Sequence, residues 1–218
     1  MTRLNIVVEG QTEETFVREI LYHHLIQLGV FPTPRRVFHS ASSRGGVSQY
    51  SKIHMDVSRW CKQDQGAFVS SFFDLYGLPR DFPGRQTASE ESDVYQKIAV
   101  LEAAFAASIS KANFIPYLQP HEYEALILSQ PAKLGVYYPH HTGPINALAA
   151  EIAAARTPEH VDEGKDTAPS KRILKHIPGY RKNLAGALVA MEIGLPAIRA
   201  RCRHFNEWVT KLENLKTK

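Results

Sequence analysis

Two acids stand where an apolar run stops. Leu4 to Val8 is almost continuously apolar and ends at Glu9-Gly10, and Ala67 to Phe73 is apolar or small and ends at Asp74. Runs of that length and character read as strands covered on both faces. Ligands of open parallel sheets bind outside the carboxyl ends of such strands. If the two strands are neighbours, the Glu9 and Asp74 carboxylates converge, and close carboxylates repel unless a proton or a cation stands between them. Mg2+ or Mn2+ suits that position, because hard ions take carboxylate oxygens and leave room for waters and substrate phosphates. The chemistry implied is phosphoryl transfer, with Glu9 as general base or metal ligand and Asp74 as metal ligand. The ordinary alternative is a pair of loop acids that cap the following helices.

A second acidic cluster is His121-Glu122-Tyr123-Glu124. Glu122 and Glu124 are two apart, so a helix would turn them away from each other. One of the two is expected in the metal shell, and the spacing leaves open which. His121 is a ligand, a general base or a cap, and magnesium disfavours imidazole. Ser170, Lys171 and Arg172 form a candidate phosphate-binding turn after Pro169, with Lys171 a candidate catalytic residue. Cations in the first turn of a helix work against its dipole, which points to an anionic contact; the alternative is a solvated charged turn. Arg44-Gly45-Gly46 offers a further anion-binding loop, but neither GxxxxGK[ST] nor GxGxxG is present. There is no GxSxG elbow for serine catalysis.

These groups need a frame, and the hydrophobic pattern supplies one. A helix capped at Thr12 is expected to run to Gly29, and strands are expected at Arg35 to Ser40 and Asn113 to Leu118. Helices are expected at Tyr50 to Lys62, from a Ser89 cap to Ser110, and at His121 to Leu128. Strands alternating with helices argue for an α/β fold, a mainly parallel sheet of four or five strands with helices on both faces. From Asn146 onward the apolar pattern is helical only. Residues 1–130 are therefore expected to form the α/β core and 131–218 a C-terminal helical extension packed on it.

Composition narrows the class. The 218 residues carry 26 Lys and Arg against 22 Asp and Glu, a formal charge of +4. That mild excess permits an anionic partner without requiring one. Two cysteines, Cys61 and Cys202, are too few for a disulfide scaffold and lack zinc spacing, which fits reduced thiols in a cytoplasmic protein. No apolar run approaches a membrane span, and MTRLNIVVEG is no signal peptide.

The order of these segments resembles a known group. Val8-Glu9-Gly10-Gln11-Thr12-Glu13 is similar to the first Toprim motif, and Phe72-Phe73-Asp74-Leu75-Tyr76-Gly77 to the second. With His121 to Leu126 and Ala168 to Arg172, the chain resembles an uncharacterised bacterial family with a Toprim-like core, distantly similar to overcoming-lysogenization-defect nucleases. The resemblance implies a Toprim-like, Rossmann-like sheet and a metal-dependent nuclease, with Glu9, Asp74 and Glu122 or Glu124 around Mg2+ or Mn2+. It also implies nucleic acid as substrate and an ATPase partner in antiphage defence. A homodimer is a further option, and no membrane is expected. The chain departs from the Toprim pattern at Asp74-Leu75-Tyr76, where Asp-x-Asp is usual. That departure supports two alternatives, a non-catalytic module of an ATPase complex and a small-molecule phosphohydrolase.

Overall fold

The computed structural model describes residues 1–37, 49–161 and 167–215. The Arg44 loop, and residues 38–40 of the strand expected at Arg35 to Ser40, lie outside them.

A parallel sheet organises the chain. Strands β1 (Thr2–Val8), β2 (Val30–Arg36), β3 (Ala67–Asp74), β4 (Phe114–Ile115) and β5 (Leu118–Gln119) pair in the order β2-β1-β3-β4, with β5 also on β3. All pairings are parallel, with Val8 beside Phe72. Strand order reverses between β1 and β3, where open α/β sheets form their ligand crevice.

Among the described residues eleven α-helical segments join and cover the strands. After β1 come α1 (Gln11–Phe16), a π-helical turn (Val17–Leu21) and α2 (Tyr22–Leu25), ended by Gly29 at φ +76°. Then follow α3 (Tyr50–Gln63), α4 (Arg85–Ala88), α5 (Val94–Ile109) and α6 (Glu124–Ile127). The C-terminal part holds α7 (Thr142–Ala153), α8 (Pro169–His176), a second π-helical turn (Lys182–Gly186), α9 (Ala187–Ile193), α10 (Leu195–Arg201) and α11 (Arg203–Glu213).

Alternation along the strands sorts the core into two layers. Leu4, Ile6 and Val8 face one layer with Phe16, Tyr123, Val189, Phe205 and Trp208. Val7, Val69 and Phe73 face the other with Val57, Ile98 and Phe105. The C-terminal helices thus complete one face of the sheet. Trp208 seals the joint: its indole is buried, stacks on Tyr117 and donates to Ser70 Oγ at 2.9 Å. No single helix among the described residues is long and apolar enough to cross a membrane. Cys61 and Cys202 are free and buried, and burial pushes the Cys61 thiol up to about 11.

Several boundaries differ from expectation, each for a local reason. β2 begins at Val30, well before Arg35, and contains Pro32 and Pro34. Thr2 N–H donates to Gly29 O and Val37 N–H to Val8 O, so odd residues of this strand face β1 and both prolines face the free edge, where no amide is needed. The fourth strand is split into β4 and β5 at Pro116-Tyr117. Ser71 Oγ bridges the gap, donating to Tyr117 O and accepting from Tyr117 N–H, both at 2.9 Å. The first helix is capped at Gly10, with Glu13 reaching back to the Gly10 amide at 3.1 Å, so Thr12 sits buried inside the first turn. The long helix is capped by Asp93 rather than Ser89, its carboxylate accepting from Tyr95 N–H and Gln96 N–H. The helix expected from His121 starts at Glu124, because His121 takes φ +59°, outside the right-handed helical region.

Candidate functional site

β1 and β3 are adjacent and parallel, so their carboxyl ends share one rim. Glu9 follows β1 by one residue and Asp74 closes β3. The Asp74 backbone hydrogen-bonds the Glu9 carboxyl, which ties the two strand ends together. Glu13 enters from the first turn of α1 and Glu124 opens α6. Asp74, Glu13 and Glu124 close on one ammonium, Lys182 Nζ, at 2.9, 3.2 and 3.7 Å.

Lys182 begins the π-helical turn before α9. A π turn widens the helix and is frequent where a side chain must be aimed at a site. The turn packs closely: a Cβ on Gly186 would lie 3.1 Å from Thr12 Cγ2 and 3.4 Å from the Tyr123 ring. Lys182 also sits 5.5 Å from the centre of the Tyr123 ring. Its side chain is 31% exposed, while those of Glu13 and Glu124 are 4% and 2% exposed, so the lysine meets solvent more than these two acids do.

Four carboxyl groups against one ammonium leave an excess of negative charge. Burial, then repulsion from Asp74 and Glu13, pushes Glu9 up to about 8. Burial pushes Glu124 up to about 7, with Lys182 partly offsetting it. Glu13 is also raised, again by burial first. For Lys182 burial works downward, but attraction to Asp74, Glu124 and Glu13 outweighs it and holds the ammonium well above the usual lysine value. Charge density of this kind, in a crevice and not on a surface, marks sites of chemistry more often than of stability. Asp74 Oδ1 is buried and accepts no hydrogen bond among the described residues.

The donor set suits a hard divalent ion. The orphaned Asp74 Oδ1 is the kind of acceptor that a cation satisfies. Among the described residues no three His, Cys, Asp or Glu side chains are gathered as ligands of one ion. The carboxylates instead converge on the lysine.

Gly77 shows how tightly Glu9 is housed. A Cβ there would lie 2.5 Å from Glu9 Oε2 and 2.9 Å from Oε1. Gly77→Ala is expected to displace that carboxyl at a cost of about 1 kcal/mol. In a double-mutant cycle measured by urea unfolding, Glu9→Ala should erase most of this cost, because the obstructing atoms are gone. An equal cost in both backgrounds would separate Gly77 from Glu9.

The other sequence-derived candidates fall elsewhere. Glu122 turns away from the cluster and its Oε2 accepts the Ser170 amide at 2.9 Å, at the start of α8. Lys171 is exposed on α8. Arg172 pairs with Glu151 and donates to Thr167 O, and Glu151 also meets His176 at 3.0 Å. His121 is buried beside Tyr76, and burial lowers its imidazole to about 4, which keeps it neutral near pH 7. Glu13 and Lys182 were missed by the sequence reading. Glu13 carried a signal, the Gly10-x-x-Glu13 capping-box spacing that also sets it one turn from Glu9. Lys182 carried none.

Comparison with known proteins gives one family and one group of structures. The family described as "Domain of unknown function (DUF4276)" matches residues 8–213. No curated protein matches the chain. The C-terminal region of the Xanthomonas campestris pv. campestris OLD protein, in a structure phased with mercury, aligns at a TM-score of 0.42 with 14% identity, covering 97% of this chain and 98% of that one. The same region phased with platinum aligns at 0.41 with 15% identity, covering 96% and 95%.

Proposed function

The chain belongs to the DUF4276 family, and from its geometry we propose that it is a divalent-metal-dependent enzyme that processes phosphodiesters, with a Toprim-like site at the switch point of its sheet. One observation carries the reading: Glu9, Glu13, Asp74 and Glu124, from the end of β1, from α1, from the end of β3 and from α6, bring their carboxyl groups together around Lys182. A folded chain does not gather four acids at its ligand crevice for stability, since buried like charges cost free energy.

The acids Glu9, Glu13, Asp74 and Glu124 would hold Mg2+ or Mn2+, which when bound polarises a phosphoryl oxygen and activates water. Lys182, at the mouth, neutralises phosphate charge and orients the oxygen that faces it. Glu9 is a ligand in that set or, instead, the general base; in the second role its raised proton affinity suits it to take the proton of the attacking water. Glu124 would fill the place in the ligand set that an Asp-x-Asp pair would give, while Tyr76 lines a neighbouring cavity. Lys171, exposed on α8, serves as an outer contact for the phosphate backbone of nucleic acid.

The test is a substrate panel with Mn2+, Mg2+ or EDTA: supercoiled plasmid, a single-stranded oligonucleotide, bis(p-nitrophenyl) phosphate and p-nitrophenyl phosphate. Metal-dependent nicking and diester hydrolysis, abolished by EDTA, are expected. Turnover of the monoester alone would make the chain a small-molecule phosphohydrolase. Turnover of nothing would leave the second reading, a non-catalytic module that docks on a partner such as an ATPase. One feature favours that reading: Leu184, Leu188 and Met191 form an exposed apolar stripe at helical spacing, 63%, 41% and 44% exposed.

A further inference from the structure

A cavity adjoins the segments that carry Asp74 and Glu124. It encloses about 480 Å³ between the turn after β3 and helix α5, lined among others by Tyr76, Arg85, Ser89, Lys97, His121 and His160. That volume falls within the range of small-ligand sites. Its walls are continuous with the acid site. Asp74 faces Lys182, and two residues on, Tyr76 lines the cavity. His121 lines the cavity, and three residues on, Glu124 faces Lys182. The Tyr76 amide donates to His121 O at 3.0 Å, so the two walls are stitched together.

The cavity has the chemistry of an anion-and-ring receptor. No carboxylate lines it among the described residues. Arg85 is held there by donating to the carbonyls of Leu78 and Pro79 at 2.7 and 2.9 Å, and neither it nor Lys97 has a carboxylate partner among the described residues. Asp93, at the start of α5, is committed to its cap and to Arg156 and His160. Tyr76 is 45% exposed and lies 5.5 Å from the His121 ring at 53°. His121 holds its place with φ +59°, a conformation that is strained for a non-glycine residue and persists where surroundings impose it. Two cations without a carboxylate partner among the described residues, beside an exposed aromatic ring, suit a phosphate joined to a flat base.

We propose that this cavity binds one nucleotide unit, its phosphate at Lys97 and Arg85 and its base against Tyr76, next to the acid crevice. The proposal rests on the phosphodiester reading for its purpose, and its binding test stands apart from it. The unit has two possible sources, a free nucleotide or one residue of a polynucleotide.

Binding of thymidine 5′-monophosphate, inorganic phosphate and a 5′-phosphorylated single-stranded oligonucleotide can be measured by calorimetry on the full chain in EDTA. Saturable binding of the nucleotide is expected, tighter than phosphate, with Lys97→Gln weakening it about tenfold and Tyr76→Ala by a similar factor. Glu124→Gln, in the acid crevice, should leave it within about twofold. Binding of the oligonucleotide alone, weakened by Lys97→Gln, would support the site and identify the polymer as the source. No saturable binding of either probe, or binding that ignores Lys97→Gln and Tyr76→Ala in variants with wild-type circular dichroism, would overturn it. Binding lost in Glu124→Gln but kept in Lys97→Gln would also overturn it by placing the nucleotide in the acid crevice. Nucleotide binding with no turnover of any diester would leave this site standing and sink the catalytic reading alone.

Discussion

Lys182→Met is expected to destabilise the chain by about 3–5 kcal/mol near pH 8, the usual cost of removing one partner from a buried ionic cluster. For a chain of this length that is on the order of 10 °C in melting temperature. The penalty should depend on pH, and its sign follows from proton binding. Glu9 and Glu124 already sit at about 8 and about 7, above their unfolded value of 4.5, and Lys182 is what holds them down from higher values. A carboxyl raised in the folded state favours folding fully below its unfolded pKa, and that advantage is lost as pH rises through the folded pKa. Wild type should therefore lose stability between pH 4.5 and about 8. The variant, with its carboxyls raised further, should lose more over a wider window, so the gap between the two closes toward pH 5. A divalent ion supplies what the mutation removed. Millimolar Mg2+ or Mn2+ should raise the melting temperature of Lys182→Met more than that of wild type, and NaCl at equal ionic strength should not. Thermal melts across pH, with and without metal, decide the matter. Wild-type stability of the variant at pH 8 would mean the acids do not depend on the lysine. Destabilisation that no divalent ion repairs would mean they do not ligate one.

The frame of this site was legible because it rests on long-range hydrophobic order, and its centre was not. β1 and β3 are buried on both faces, so their sequences are nearly pure apolar runs, and the acids at their ends stand out. Alternating strands and helices argue for a parallel sheet, but that β1 and β3 are neighbours is set by the strand order, which the pattern left open. The start of β2 was missed: it contains Pro32 and Pro34, which a strand tolerates at the free edge of a sheet. Pro116 split the last strand, which survives through Ser71, a side-chain substitution for the ladder that no periodicity reports. Glu122 and Glu124 could not be ranked by spacing, because the choice turns on the positive φ of His121 just before them. Lys182 was out of reach altogether. It lies 108 residues from Asp74, on a turn whose π geometry leaves no pattern, next to Arg181 in a run of dispersed basic residues.

Asp74→Asn should separate activity from stability. Asparagine keeps the shape of the side chain and an oxygen that can accept from Lys182, now 2.9 Å from Asp74 Oδ2, but it removes one negative charge. Repulsion from Asp74 contributes to the raised proton affinities of Glu9, Glu13 and Glu124. Without it all three should fall toward ordinary values. Lys182 keeps Glu13 and Glu124 as partners, so no buried charge is stranded. Stability should then change by less than about 1 kcal/mol, because relief of buried like charges offsets the weaker contact with Lys182. Metal-dependent diester hydrolysis should fall about 100- to 1000-fold, the scale of losing one preorganised charged group from a reaction centre. The pair of measurements is urea unfolding at pH 8 and the initial rate on bis(p-nitrophenyl) phosphate with Mn2+. A cluster kept only for structure predicts the opposite, lowered stability with nothing specific lost. A variant that retains half the wild-type rate would take Asp74 out of the reaction and leave the convergence of acids at this crevice without a catalytic purpose.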